Sequence, residues 1–332
     1  MAYRLAIAGV TGAVGQEFLS IIEERNFPFK SIKMLASSRS AGKTMSFKGK
    51  TYTIEEMTKD SFKDVEVALF SAGASRSREF APAAVKAGAV VVDNSSAYRM
   101  DPEVPLVVPE INPEMIKKHK GIIANPNCST IIGIVPIWPL HKINPVKRMV
   151  VSTYQAASGA GMSAMLELEA QSREILEGKP PTKNVFPHQI AFNCFSHNSA
   201  LGPNGYNEEE TKLLKETRKI FNCPNIAVTA TCVRIPVMRA HCESINLEFT
   251  NPITPDEVRK ILATAPGVTI LDDREHNRFP MPIDASGKDN VFVGRIRQDE
   301  SLPGNRGINI WVSGDQLRKG AALNAIQIAE LL

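Results

Sequence analysis

The stretch NPNCST at 125–130 places a thiol, Cys128, between an asparagine and two hydroxyl residues. Cysteine reacts as the thiolate, so a nucleophile at this point needs a helix start, nearby positive charge and a proton-handling partner from elsewhere in the chain. Pro126 lacks an N–H and tends to end the apolar run before it. Ser129 and Thr130 are residue types that cap helices, so a helix is expected to start at Cys128 or just after it. A buried structural thiol would read the same from this segment alone. Distant residues could complete a site. RIPVMRAH at 234–241 sets Arg234 and His241 around a proline-containing bend. Arginine offers a fork for a carboxylate, and histidine can donate or take a proton near neutral pH. Arg99 follows the apolar run 89–93, and open α/β sheets bind ligands beyond such strand ends. Taken singly, His241 reads as structural and Arg99 as a surface residue.

A second chemistry-bearing motif lies near the N-terminus. GVTGAVG at 9–15 follows a strand-like apolar run and opens a helical pattern. Glycines there let a turn close and let backbone approach a pyrophosphate, which the helix N-terminus attracts. This predicts dinucleotide binding. Where NAD-binding folds carry a carboxylate at the end of the second strand, this chain reads ASSRSAG at 36–42. Arg39 with flanking hydroxyls suits a 2′-phosphate, so NADP is expected rather than NAD.

The elements that must hold these groups fall into two patterns. Up to about residue 128, apolar strands at 3–9, 31–36, 65–70 and 89–93 alternate with helices at 15–22 and 80–85. That alternation implies right-handed crossovers and a parallel sheet covered on both faces. Beyond it, strands are expected at 146–153, 226–235, 243–249, 268–271, 291–297 and 308–312, with a long helix through 165–169. Few helices separate them, so a mixed, mainly antiparallel sheet is expected. The stretch 178–207 is irregular and too long for a plain connector, which suggests a functional or interface loop. An amphipathic last helix should pack back on the first domain. The fold class is therefore α/β: a Rossmann-like domain at 1–127, completed by a C-terminal helix at 313–332, and an α+β catalytic and dimerisation domain at 128–312.

Length and composition bound the function. A chain of 332 residues suits two domains. Lys and Arg number 39 against 35 Asp and Glu, a net charge of +4 that gives no basic stripe for nucleic acid. No apolar run reaches membrane-span length, and the N-terminus passes straight into a strand-like run without a leader pattern. The five cysteines are far apart, with no CxxC pair, so free thiols in a reducing cytoplasm are expected. His188, Cys194 and His197 have a spacing that fits no common metal site.

With these motifs in hand, the chain resembles the aspartate-β-semialdehyde dehydrogenase family along essentially its whole length. The likeness is carried by GVTGAVG, ASSRSAG and NPNCST, by TYQAASGAG at 153–161, EEETK at 208–212, RIPVMRAH, and GDQL at 314–317. The resemblance implies NADPH-dependent reductive dephosphorylation of L-4-aspartyl phosphate to the semialdehyde, in the pathway to lysine, threonine and methionine. It implies Cys128 as nucleophile and thioester carrier, His241 as acid/base and Gln155 orienting the acyl group. Arg234 would bind the substrate carboxylate and Glu209 its ammonium. Arg99, Lys212 and Asn127 would hold phosphate. The cofactor would meet Gly9, Thr11, Gly12, Ala13, Val14, Arg39, Ser40, Ser71, Gly73, Ser158, Gly159 and Gln316. A homodimer with no metal is implied. Without the likeness, Glu209 and Lys212, three apart on a helix, read as an ordinary ion pair.

The nearest alternative is N-acetyl-γ-glutamyl-phosphate reductase, whose thiol motif resembles NPGC, so Asn127 favours the aspartyl enzyme. Glyceraldehyde-phosphate dehydrogenases differ at the thiol and usually take NAD. A non-catalytic NADP sensor would need none of Cys128, Gln155, Arg234 and His241. A cysteine hydrolase would leave the nucleotide loop unexplained.

Overall fold

Strands apolar on both faces need a helical layer on each side. The computed structural model, which describes residues 2–332, provides this in the first of two units. That unit runs to Asn127 and takes in Ala321–Leu332, while the second is Cys128–Gly320. The first unit contains β1 (Tyr3–Ala8), α1 (Ala13–Glu24), β2 (Phe29–Ala36), β3 (Thr44–Phe47), β4 (Lys50–Glu56), β5 (Val67–Phe70), α2 (Ala74–Lys86), β6 (Val90–Asp93) and β7 (Ile122–Ala124). Its sheet has the order β3-β4-β2-β1-β5-β6-β7. All neighbours are parallel except the β3–β4 hairpin. Alternate residues point to opposite layers. Leu5 and Ile7 pack with Phe18, Ile21 and Ile22 of α1, whereas Ala6 and Ala8 pack with Phe80, Ala81 and Ala84 of α2.

The β3–β4 hairpin was not expected from the sequence. Its strands meet at Phe47 and Lys50, across a two-residue turn in which Lys48 and Gly49 have φ of 49° and 71°. Two positive φ values are what a tight hairpin turn needs, but they are usually announced by Asn-Gly or Asp-Gly. Lysine in the first position hides the signal.

The second unit contains α3 (Cys128–Ile143), β8 (Val146–Gln155), α4 (Met162–Leu176), β9 (Phe195–Ser196), α5 (Glu208–Ile220), β10 (Ala227–Arg234), β11 (His241–Phe249), α6 (Pro255–Leu262), β12 (Val268–Ile270), α7 (Pro282–Ala285), β13 (Val291–Gln298) and β14 (Gly307–Gly314). The sheet order is β12-β13-β14-β11-β8-β10-β9. Antiparallel pairs predominate, with β8–β10 and β12–β13 parallel. The irregular stretch 178–207 holds only the two-residue β9 and one isolated bridge.

The end of the chain differs from expectation. The segment from 313 is not one helix. β14 continues to Gly314 and a π-helical turn follows at Arg318–Ala322 before α8 (Leu323–Glu330). Residues 313–320 accordingly stay with the second unit. Nor is α8 amphipathic in its setting. It is buried almost all round, and Asn324 on it donates to Val107 O (3.0 Å) and Asn125 Oδ1 (2.7 Å). A polar residue tolerates that burial because both its amide hydrogens are matched.

Candidate active site

Three neighbouring strands of the second sheet bring three expected residues to one edge. β8 ends at Gln155 and β10 ends at Arg234, directly opposite it in parallel register. β11 runs the other way and begins at His241, with Cys242 opposite Tyr154. The connection from Arg234 to His241 therefore crosses the end of β8. It is fastened there, because Ile235 N–H donates to Gln155 O (3.0 Å), and Ala157 and Ser158 N–H donate to Val237 O and Met238 O (2.8 and 3.1 Å).

His241 is fully buried, and Ala156 N–H donates to its Nδ1 at 3.0 Å. A neutral imidazole has one lone pair, so its proton is on Nε2. That Nε2–H has no hydrogen-bond partner. Burial, followed by the charge of Arg234, pushes the His241 pKa down to about 3. In this conformation the ring is a donor toward the site. Gly159 keeps the space in front of it open, since a Cβ there would lie 3.0 Å from Nε2 and 3.1 Å from Arg234 Nη1.

Arg234 is buried, with Nη1 donating to Ala156 O (3.0 Å) and Nε left without a partner. Gln155 Nε2 donates to Ser129 Oγ (2.7 Å) and to Glu209 Oε1 (3.1 Å). The carboxylate only accepts, which fixes the amide orientation and leaves Gln155 Oε1 unpaired. Glu209 lies in the first turn of α5 and pairs with Lys212 Nζ at 3.0 Å. The ion pair expected from helical spacing is thus present. It is joined to the buried amide of Gln155, which an ordinary surface pair is not.

Cys128 is the first residue of α3. The helix begins at Cys128, as expected, with Ser129 and Thr130 inside it rather than at the cap position. Both lie buried within its first turn, where Ser129 accepts from Gln155. The backbone of Gly320 packs on Cys128: a Cβ at 320 would fall 2.8 Å from the Cys128 Cβ. Burial lowers the Arg234 pKa, and negative charge at Glu209, then at Cys128 when it is ionised, opposes that shift.

The remaining expected residues separate by unit. Arg99 and Asn127 belong to the first unit. Arg99 lies beyond β6, its Nε donating to Asn125 O (2.9 Å) and its Nη2 to Asn94 O (2.8 Å). At the ends of β1 and β5, Gly12 and Gly73 are the N-caps of α1 and α2, and neither helix start has a side-chain cap. Two helix N-termini with open N–H groups suit an anion such as pyrophosphate. Gly9, at φ 94°, approaches so closely that a Cβ would sit 2.3 Å from Ser71 O, and a Cβ at Gly15 would be 2.2 Å from Gly9 O. Thr11, Ala13 and Val14 line the same turn. Arg39 is exposed and Ser40 half-buried on the loop after β2. In the second unit, Ser158 and Gln316 are buried and bonded to each other, and Gln316 Oε1 accepts from Ala240 N–H (2.9 Å). Gly159 is exposed beside His241.

Three residues around the cluster are given no place in the site by the sequence. Ser129 takes the Gln155 amide. Glu243, two residues after His241, is buried with neither carboxyl oxygen hydrogen-bonded, and burial raises its pKa well above the usual carboxylate range. Gly133 makes room for it, since a Cβ there would lie 2.6 Å from Oε2. His197 contacts Arg234. Among the described residues no group of His, Cys, Asp and Glu is placed to hold a metal ion, His188, Cys194 and His197 included. All five cysteines are free, and among the described residues no helix is long and apolar enough to cross a membrane.

Comparison with known proteins gives matches over both units. Residues 4–119 match the model of the semialdehyde dehydrogenase NAD binding domain, and 137–319 that of the semialdehyde dehydrogenase dimerisation domain. Aspartate-semialdehyde dehydrogenase from Synechocystis sp. is 56% identical over 99% of this chain and 97% of its own, and that from Aquifex aeolicus is 54% identical over 100% and 98%. The crystal structure of aspartate semialdehyde dehydrogenase II from Vibrio cholerae complexed with ASA has a TM-score of 0.97 at 45% identity, covering 100% of this chain and 98% of that one. The Candida albicans enzyme with NADP has a TM-score of 0.76 at 26% identity, covering 100% and 98%.

Proposed function

The chain belongs to the aspartate-semialdehyde dehydrogenase family, and on that premise we propose that it converts L-4-aspartyl phosphate to aspartate 4-semialdehyde through a thioester on Cys128. The observation that carries the reading is the convergence of Gln155, Arg234 and His241 at one end of three adjacent strands, with Glu209 bonded to Gln155. A carboxylate, an ammonium and a carbonyl oxygen are the groups such a set complements.

In this reading Arg234 binds the substrate carboxylate through its buried Nε–H, which has no protein partner. An unmatched guanidinium N–H in a buried place is costly, and an anion relieves it. Glu209 receives the ammonium group. Arg99, Lys212 and Asn127 are assigned to the acyl phosphate and the departing phosphate. The Cys128 thiolate, at the positive end of α3, attacks the acyl carbon; the C–O bond to phosphate breaks and phosphate leaves with its electron pair. His241 donates from Nε2–H to the acyl oxygen, where negative charge develops in both halves of the reaction. The tautomer set by Ala156 suits it to donation, because its single lone pair is already taken. When the thiolate is expelled the aldehyde is free.

The nucleotide would be NADP, held at the open starts of α1 and α2 by the turns carrying Gly9, Thr11, Gly12, Ala13 and Val14 and Ser71 and Gly73. Arg39 and Ser40 would take its 2′-phosphate, and Ser158, Gly159 and Gln316 would lie along it. When bound, it supplies the hydride that reduces the thioester carbon. Free thiols support a cytoplasmic setting, and the dimerisation domain supports a homodimer.

The test is the reverse reaction. Aspartate semialdehyde with NADP should yield reduced nucleotide only when phosphate is added, and NAD should serve poorly. Turnover of N-acetylglutamate semialdehyde in preference to the aspartyl compound would overturn the assignment.

A further inference from the structure

The irregular stretch 178–207 is pinned in place by α4. The Glu167 carboxylate accepts from Asn184, Val185 and Phe186 N–H at 2.6, 2.6 and 3.0 Å. Gln171 accepts from Ile190 and Ala191 N–H at 2.8 and 3.1 Å and donates to Thr182 O at 2.6 Å. Two side chains one turn apart on a helix thus hold both arms of the loop. Burying a glutamate and a glutamine for this purpose is costly unless every acceptor is matched, and here they are.

Two residues of the pinned segment face Arg234. The Phe186 ring lies under its guanidinium, 5.6 Å from centroid to Cζ, and Phe186 is itself packed among Ala157, Ala164, Leu168, Ile190 and Ala191. His197 Nε2 is 2.8 Å from Arg234 Nη2. Arginine has no acceptor, so the imidazole must accept there and carry its proton on Nδ1. Nδ1 faces two groups of Ser199: Oγ at 3.0 Å, which takes that proton in the tautomer the arginine requires, and the backbone N–H at 3.2 Å, a longer contact and a competing donor. Ser199 Oγ also receives Glu209 N–H at 3.2 Å, so the chain from Arg234 ends at the start of α5.

We propose that His197 is a positioning residue for substrate recognition: with Phe186 and Ala156 O it holds the Arg234 guanidinium on three sides and turns its unpartnered Nε–H toward the substrate carboxylate. The proposal rests on Arg234 being the carboxylate-binding residue. His197 acts through a neutral imidazole, which is an acceptor of the right length. Its burial keeps it neutral, with the pKa lowered to about 4.

The experiment compares His197→Ala, His197→Gln and Arg234→Ala by steady-state kinetics with aspartate semialdehyde, phosphate and NADP, alongside thermal melting. Loss of an acceptor for a charged donor should raise KM for the semialdehyde by about 10- to 100-fold in His197→Ala, with kcat changed much less. KM for NADP should stay put. Gln presents Oε1 near the position of Nε2, so His197→Gln should recover most of the affinity. A merely structural histidine would lower melting temperature and leave KM for the semialdehyde alone, or would show no rescue by Gln; either result overturns the proposal. If Arg234→Ala itself leaves that KM unchanged, the carboxylate assignment fails, whatever the His197 variants do. If Arg234→Ala raises it and His197→Ala does not, the assignment stands and the positioning role falls.

Discussion

At the strand ends of the first unit, the groups that would meet a ligand are backbone. Glycines at 9, 12, 15 and 73 thin the chain, and the two helix starts behind them carry no side-chain cap. In the second unit they are side chains, each already tied to others: Gln155 to Ser129 and Glu209, His241 to Ala156, Arg234 to Ala156 and His197. Backbone recognition needs room and open N–H groups, so it tolerates many neighbouring residues and fails when a Cβ is added. Side-chain recognition fails when any one partner is cut, because the others are left buried and unmatched. The two ends should therefore break differently.

The largest effect belongs to Cys128. Cys128→Ala should abolish turnover while nucleotide binding, measured by fluorescence titration, stays near normal; substantial remaining activity would remove the thioester from the mechanism. His241→Asn should cost roughly 10²–10⁴-fold in kcat, seen in the same assay. On the backbone side, Gly9→Ala combines a positive φ with a Cβ 2.3 Å from Ser71 O, so it should lower stability by about 1–3 kcal/mol and weaken nucleotide binding. Its thermal melt and NADP titration should move together, with KM for the semialdehyde little affected. Arg39→Ala should be milder still, raising KM for NADP about tenfold and leaving that for NAD unchanged, as expected for one exposed charge-assisted contact. A shift in both cofactors alike would remove the 2′-phosphate role.

The smallest effect is a slope. Burial lowers the pKa of His241 to about 3 and that of His197 to about 4, both below the ordinary imidazole value of 6.5. As pH falls below about 6.5, the unfolded chain takes up protons that these buried rings refuse, so stability declines with acidification until the folded values are reached. Urea titrations between pH 7 and pH 4 should show that decline, and His241→Asn should flatten it. An unchanged slope would mean that the ring titrates freely in the native state.

The same contrast explains what could be read in advance. The nucleotide loop is local: its glycines are adjacent in sequence, and β1, the turn and α1 follow in order, so GVTGAVG carried its own context. Arg234 and His241 were also visible because they share one short segment. Their meeting with Gln155 depended on β10 and β11 flanking β8, a pairing that no window of sequence contains. His197 invites only a metal reading from its sequence neighbours for the same reason, since its partner Arg234 lies at the end of β10. Ser129 and Thr130 correctly mark a helix start, because hydroxyl residues favour one, but sequence does not show that Ser129 is buried and accepts from the Gln155 amide. At the C-terminus, the strand and the final helix follow so closely that GDQL reads as a helix start, when β14 in fact runs through Gly314.

The strap from Arg234 to His241 across the end of β8 also has a consequence for how the enzyme is made. Its hydrogen bonds to Gln155 and to the segment after it form only when β8, β10 and β11 are all in place, and β8 lies far from the other two in the chain. Long loops must close before any of these contacts is rewarded. The first unit's β1–α1 turn is local and free of that delay. The strap is therefore complete only once separated stretches have met, whereas the β1–α1 turn needs only neighbouring residues, although the core beneath that turn is closed by α8 from the far end of the chain.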